Sequence, residues 1–196
     1  MLKNYVHVHI ILDRSGSMSS VKKDIIEMFN SFLQKQVKLP GKTTLSLVQF
    51  DDEDPYEILV DMQEVQLVPL LTNEQYQPRG MTPLLDAIGK GMNDLQEKIR
   101  KMKKSRQPES VLFAVFTDGF ENHSKEFSFK DISTRMKELE KKYGWQFYFF
   151  GTEFKGIEEA AHIGFSHVTH FKKNRAGIST SMKILHEQVY YKKSMD

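Results

Sequence analysis

Asp13, Ser15 and Ser17 stand at positions i, i+2 and i+4 of one short polar stretch, directly after the strand-like run Val6 to Leu12 and directly before an amphipathic segment. That spacing gathers three oxygen-bearing side chains in a tight loop. Two further positions share the same chemistry: Asp118 closes the apolar run Ser110 to Thr117, and Thr82 precedes Pro83 at the start of a helical pattern. Together they offer two carboxylates and three hydroxyls. An all-oxygen set suits a hard cation such as Mg²⁺, with Mn²⁺ or Ca²⁺ as substitutes, and suits Zn²⁺ or Cu²⁺ poorly. Mg²⁺ takes about six oxygens, so water or an outside group must supply the remainder. Two carboxylates only balance its charge and the hydroxyls add none. A cation so lightly neutralised still attracts an external carboxylate or phosphate.

The elements that must hold these residues follow from the patterning. Tyr5 to Leu12 reads as a buried strand. Ser19 or Ser20 is placed to cap a helix over about 21–37, whose Val21, Ile25, Met28, Phe29, Phe32, Leu33 and Val37 keep helical spacing. Thr43 to Phe50 and Tyr56 to Asp61 alternate as two strands of an antiparallel hairpin around the acidic turn Asp51 to Asp54. Thr82-Pro83 reads as N-cap and first residue of a helix running to about 104, since Pro is tolerated there. Ser110 to Thr117 has the continuous apolar character of a central parallel strand. Then come a helix over about 129–142 capped by Ser128 and closed by Gly144, a strand from Trp145 to Phe150, a short helix over 157–163, a strand from Ser166 to Phe171, and a last helix over about 176–192. Alternation of this kind predicts an α/β fold: a doubly wound, mostly parallel sheet with helices on both faces and one antiparallel edge strand. In such a sheet, ligands bind beyond the carboxyl ends of the strands. Asp13, Ser15, Ser17, Thr82 and Asp118 all fall at that end.

At this point Asp13-x-Ser15-x-Ser17, Gly80-Met81-Thr82-Pro83-Leu84 and Phe116-Thr117-Asp118-Gly119 resemble the three parts of the metal-ion-dependent adhesion site of von Willebrand factor type A domains, in that family's order and spacing. The resemblance covers essentially all of residues 1–196 as a single domain. It implies six strands in the order 3-2-1-4-5-6. It also implies that Ser15, Ser17 and Thr82 bind the ion directly, and Asp13 and Asp118 directly or through water. Arg14, Met18, Arg79, Met81, Phe120, Glu121, Asn122 and His123 are then expected to ring the ion as a partner-binding rim, with exposed Met and Phe marking a contact surface. The function implied is a non-enzymatic, Mg²⁺-dependent module that captures an Asp or Glu of a protein partner. A small stand-alone intracellular type is the expected kind, and in relatives the last helix slides with coordination.

The bulk properties narrow the alternatives. The 196 residues are enough for a substantial core, and a formal net charge of +2 is too small to argue for nucleic acid. No apolar run approaches the roughly 20 residues that span a bilayer. The N-terminus lacks a signal-peptide pattern and there are no cysteines, so a cytoplasmic setting is the expectation. A second reading is a metal-dependent hydrolase or phosphoryl-transfer enzyme at the same ion, for which His123 is the one nearby candidate base. A third is an RNA-associated protein of this family. His7 and His9 share one strand face and read as satisfied core or helix-facing histidines, while His167 and His170 point to opposite faces. Asp51 to Asp54 reads as a solvated hairpin tip. Lys101 to Arg106 reads as a helix C-terminus in which cations complement the macrodipole.

Overall fold

The sheet is built outward from β1 (Tyr5–Asp13), which is buried along its whole length. A computed structural model describes residues 4–119, 121–152, 160–161 and 163–194. After β1 comes a 3-10 helix (Gly16–Val21), then α1 (Lys22–Val37), β2 (Lys42–Phe50), β3 (Glu57–Glu64) and α2 (Leu84–Lys101). A 3-10 turn at Lys104–Arg106 leads into β4 (Ser110–Thr117), α3 (Phe129–Tyr143), β5 (Gln146–Gly151), β6 (His167–His170) and α4 (Arg175–Ser194). The strands lie in the order β3-β2-β1-β4-β5-β6. β1 is parallel to β2 and β4, β4 to β5, and β5 to β6, while β3 alone is antiparallel. This is the expected six-stranded, doubly wound order.

The period of β1 sorts its side chains between two cores. Val6, Val8, Ile10 and Leu12 face the layer that holds Ile25, Phe29 and Phe32 of α1 and Met182, Leu185 and Val189 of α4. Ile11 joins the opposite layer with Ile88 and Met92 of α2 and Ile132 and Met136 of α3. The histidines fall on this second face. His9 stacks on Phe113 at a centroid distance of 4.9 Å, and His7 Nδ1 shares a hydrogen bond with Thr44 Oγ1 at 2.8 Å. They are core and helix-facing, as expected, but His9 is not satisfied: neither of its ring nitrogens has a hydrogen-bond partner among the described residues.

Several boundaries differ from the sequence pattern for local reasons. Neither Ser19 nor Ser20 caps α1. The 3-10 helix intervenes, Ser19 Oγ donates to the Gly16 carbonyl at 2.7 Å, and α1 starts from Val21 without a side-chain cap. α2 begins at Leu84 and ends at Lys101, with Pro83 outside the helix at φ −77° and ψ 65°. β3 begins one residue and ends three residues later than the alternation suggested, and its register with β2 shifts between Leu45 and Val48. α3 is delimited as expected, by a Ser128–Asp131 capping box and by Gly144 in the left-handed region at φ 67°. Most of the helix expected over 157–163 lies outside the described residues. Among the described residues, no helix is long and apolar enough to cross a membrane.

Candidate metal centre

β1 delivers Asp13 at its carboxyl end, fully buried. Its Oδ1 accepts from the Ser15 backbone N–H at 2.6 Å and its Oδ2 from Thr117 Oγ1 at 2.5 Å. Its backbone carbonyl accepts from Tyr76 Oη at 2.6 Å. Burial pushes the Asp13 carboxyl up to about 6, against the hydrogen bonds from Thr117 and Ser15 and with help from the charge of Asp118. A positive charge beside it would oppose that penalty.

From Asp13 the oxygens form a chain. Ser15 Oγ and Ser17 Oγ are 3.1 Å apart, and Ser17 Oγ donates to Asp118 Oδ1 at 2.6 Å. Thr82 Oγ1 lies 3.3 Å from the point where a Cβ on Gly119 would stand, and Asp13 Oδ2 lies 3.9 Å from the same point. All five expected ligand residues therefore converge where β1, β4 and the start of α2 meet. With metal–oxygen distances of roughly 2.1 Å, neighbouring ligands of an octahedral ion stand about 3 Å apart. The Ser15–Ser17 spacing matches that separation, the Ser17–Asp118 contact is a shorter hydrogen bond, and the all-oxygen donor set suits a small hard cation.

The approach to Thr82 is held by polar pairing between loops. Arg79 N–H donates to the Arg14 carbonyl at 2.8 Å, and Gly16 N–H to the Gly80 carbonyl at 3.1 Å. Gly80 has φ +64°, and a Cβ there would run into Asp52 Oδ1, which instead accepts from the Met81 N–H at 2.7 Å. Thr82 N–H donates to Asn122 Oδ1 at 2.9 Å and the Asn122 N–H donates back to the Thr82 carbonyl at 3.2 Å. The acidic turn is the anchor of this assembly, not a solvated hairpin tip. Asp51 is fully buried and accepts from Arg14 Nε at 2.7 Å, Arg79 Nε at 2.8 Å, and the N–H groups of Glu53 and Asp54. Burial alone would raise its carboxyl, but the Arg79 hydrogen bond, the Asp54 N–H and the two guanidinium charges outweigh that and hold it below the ordinary carboxylate range.

The expected rim is only partly a rim. Met81 is 44% exposed, and Arg79 lies at the surface with its Nη1 3.0 Å from Glu53. Arg14 is buried and spent on Asp51 and Glu57, because the guanidinium is the counter-charge that makes burial of Asp51 tolerable. Met18 is fully buried in the α1–α4 core, where the 3-10 turn points it inward. Glu121 accepts from the N–H groups of Leu85, His123 and Ser124, and so serves the first turn of α2. Asn122 is exposed and positions Thr82; His123 is half-buried; Phe120 lies outside the described residues.

Three contributors escaped the sequence reading. Thr117 and Tyr76 orient Asp13. Lys173, in the loop between β6 and α4, makes an ion pair with Asp118 Oδ2 and donates to the Ser17 carbonyl at 2.7 Å. Thr117 lies inside the Phe116-Thr117-Asp118-Gly119 motif. Tyr76 and Lys173 carry no local signal.

A sequence model of the von Willebrand factor type A domain matches residues 7–183. No curated protein matches the chain in sequence. Among solved structures, proximal thread matrix protein 1 from the mussel byssus is similar at 14% identity and a TM-score of 0.62, over 97% of this chain and 48% of that one. A von Willebrand factor type A protein from Catenulispora acidiphila is similar at 13% identity and 0.62, over 96% and 43%. The pilus adhesin SpaC from Lactobacillus rhamnosus GG, in its open conformation, is similar at 10% and 0.63, over 97% and 30%. This chain spans less than half the length of each, and at these identities the likeness is one of fold.

Proposed function

The chain belongs to the von Willebrand factor type A domain family, and from that premise we propose that it is a Mg²⁺-dependent protein-binding module and not an enzyme. Asp13, Ser15, Ser17, Thr82 and Asp118 hold the cation, and Mn²⁺ or Ca²⁺ substitutes for it. The observation that carries the reading is the convergence of these five all-oxygen side chains at the carboxyl end of the parallel strands, with spacings of 2.6–3.1 Å along the Ser15–Ser17–Asp118 chain. When bound, the cation supplies a positive centre that two carboxylates leave without surplus negative charge, and so it attracts one more acid. The chain's own residues do the rest. Thr117 and the Ser15 N–H aim Asp13, Asn122 aims Thr82, and Ser17, which is exposed, keeps one side open to solvent. The partner presents an Asp or Glu side chain, and exposed Met81 lies beside it as an apolar contact.

The adhesin and matrix proteins of similar fold support a binding role. The test is Mn²⁺ binding followed by magnetic resonance, with Asp13→Ala and Thr82→Ala as comparisons, together with capture of protein partners in Mg²⁺ against EDTA. Wild type binds one ion, both variants lose it by at least tenfold, and partners disappear in EDTA. Equal Mn²⁺ affinity in wild type and Asp13→Ala would sink the reading.

A further inference from the structure

Asp118 already has a cation. Its carboxylate is completely enclosed, with 0% of the side chain exposed. Oδ1 is taken by the Ser17 hydroxyl and Oδ2 by the Lys173 ammonium. The same ammonium donates to the Ser17 backbone carbonyl at 2.7 Å, so it bridges two of the three segments whose oxygens make up the site. Lys173 itself is about one-third exposed, at 34%, and it is the outer of the two partners. It comes from far along the chain, in the loop between β6 and α4, and reaches across to the ends of β1 and β4.

Resting on the metal-binding reading above, we propose that Lys173 is an internal counter-cation of the site, which competes with the divalent ion for Asp118 and must leave that carboxylate when the ion binds. Two cations on one carboxylate repel each other, and the pair of carboxylates does not neutralise both. Together they would bring three positive charges against two negative ones, at contact distances and out of reach of full solvent screening. The geometry argues the same way, since both Asp118 oxygens are already in contact with other groups and Lys173 is the more exposed partner, the one free to move. Without divalent ion, the lysine keeps a buried carboxylate neutralised and the loops in place. With it, the released ammonium lies at the edge of the site, where it adds a second positive group facing an incoming acid. The ion concentration at which the module captures an acid is thereby set partly by the strength of the Lys173–Asp118 pair.

The experiment titrates Mn²⁺ into wild type, Lys173→Met, Lys172→Met and Asp13→Ala, with binding read by magnetic resonance and no partner present. Lys172 is an exposed neighbour in the same loop and controls for loss of one positive charge. A charged contact to an enclosed carboxylate corresponds to about 10- to 100-fold in affinity. Lys173→Met therefore binds Mn²⁺ about tenfold or more tightly than wild type, while Lys172→Met stays within about twofold. A second measurement needs no variant of the site. The reactivity of the Lys173 amine toward an acylating reagent, mapped by mass spectrometry in wild type, rises severalfold when Mg²⁺ is added. The inference is overturned if Lys173→Met and wild type bind alike while Asp13→Ala does not bind, or if Lys173 stays equally protected at saturating Mg²⁺. If Asp13→Ala binds Mn²⁺ as wild type does, the failure lies with the metal site itself.

Discussion

Asp51 shows how much of the site depends on a side chain that touches no ligand. Its carboxylate is buried under two arginines and two backbone N–H groups, and it joins the end of β2 to the 79–81 loop that leads into Thr82. Removing one member of a buried ion pair strands the other, at a cost of about 3–5 kcal/mol. Asp51→Ala leaves buried Arg14 with Glu57 as its remaining counter-charge, so urea unfolding of this variant is expected to show a loss of about 3 kcal/mol, at the low end of that range. Glu53→Ala, whose carboxylate is mostly exposed in its pair with Arg79, is expected to change stability by less than about 1 kcal/mol. The contrast explains what could be read in the sequence. The convergence of Asp13, Ser15, Ser17, Thr82 and Asp118 was legible because the order of motifs places them at one end of the sheet. Asp51 was misread because four acidic residues in a row look solvated until a buried arginine is seen beneath them. Arg14 and Met18 were misread for the related reason that loop residues next to a ligand motif can point inward. Lys173 was invisible, since 156 residues separate it from Ser17 in the chain.

Among the elements, β1 carries a built-in sensitivity to acid. Its inward-facing His7 and His9 are packed against Phe113 and α2, far from water. Burial, reinforced by the charge of Lys98, lowers His7 to about 3. Burial, then His7, then Lys98 lower His9 well below the ordinary histidine range. Both are therefore neutral in the folded chain, whereas the unfolded chain takes up protons near pH 6.5. The stability this contributes is present above pH 6.5 and is lost as pH falls from there toward the folded values. Each pH unit in that window costs about 1.4 kcal/mol per histidine, so His7 alone removes about 3 kcal/mol by pH 4.5. His9→Phe preserves the stack on Phe113 and removes one of the two groups. Acid unfolding followed by circular dichroism is expected to move to lower pH in this variant, and an unchanged midpoint would contradict the account. The elements themselves were largely legible, because hydrophobic period and caps such as Ser128 and Gly144 are local. The 3-10 turn before α1 was not, since it is stabilised by Met18 entering the core, and the shifted β3 was not, since its register depends on a slip against β2.

For the chain taken together, the proposed cation bears directly on stability. The candidate ligands come from the loop after β1, the approach to α2 and the loop after β4, and the competing lysine from the loop before α4. A cation that joins the first three binds the folded chain and not the unfolded one. At a hundredfold excess over its dissociation constant it adds about 2.7 kcal/mol. In a chain of this size that corresponds to a rise in Tm of roughly 5–10 °C. The gap between Mg²⁺ and EDTA is expected to vanish in Asp13→Ala, because the ion has lost its most buried ligand. It is expected to widen at the same Mg²⁺ concentration in Lys173→Met, because the ion no longer has to break an existing ion pair before it gains its own contacts. The widening has two sources that calorimetry separates. The EDTA curve falls, since the lysine no longer neutralises Asp118, and the Mg²⁺ curve holds, since the divalent ion takes over that task. A Lys173→Met curve that falls equally in EDTA and in Mg²⁺ would mean that lysine and ion are held side by side and not in exchange.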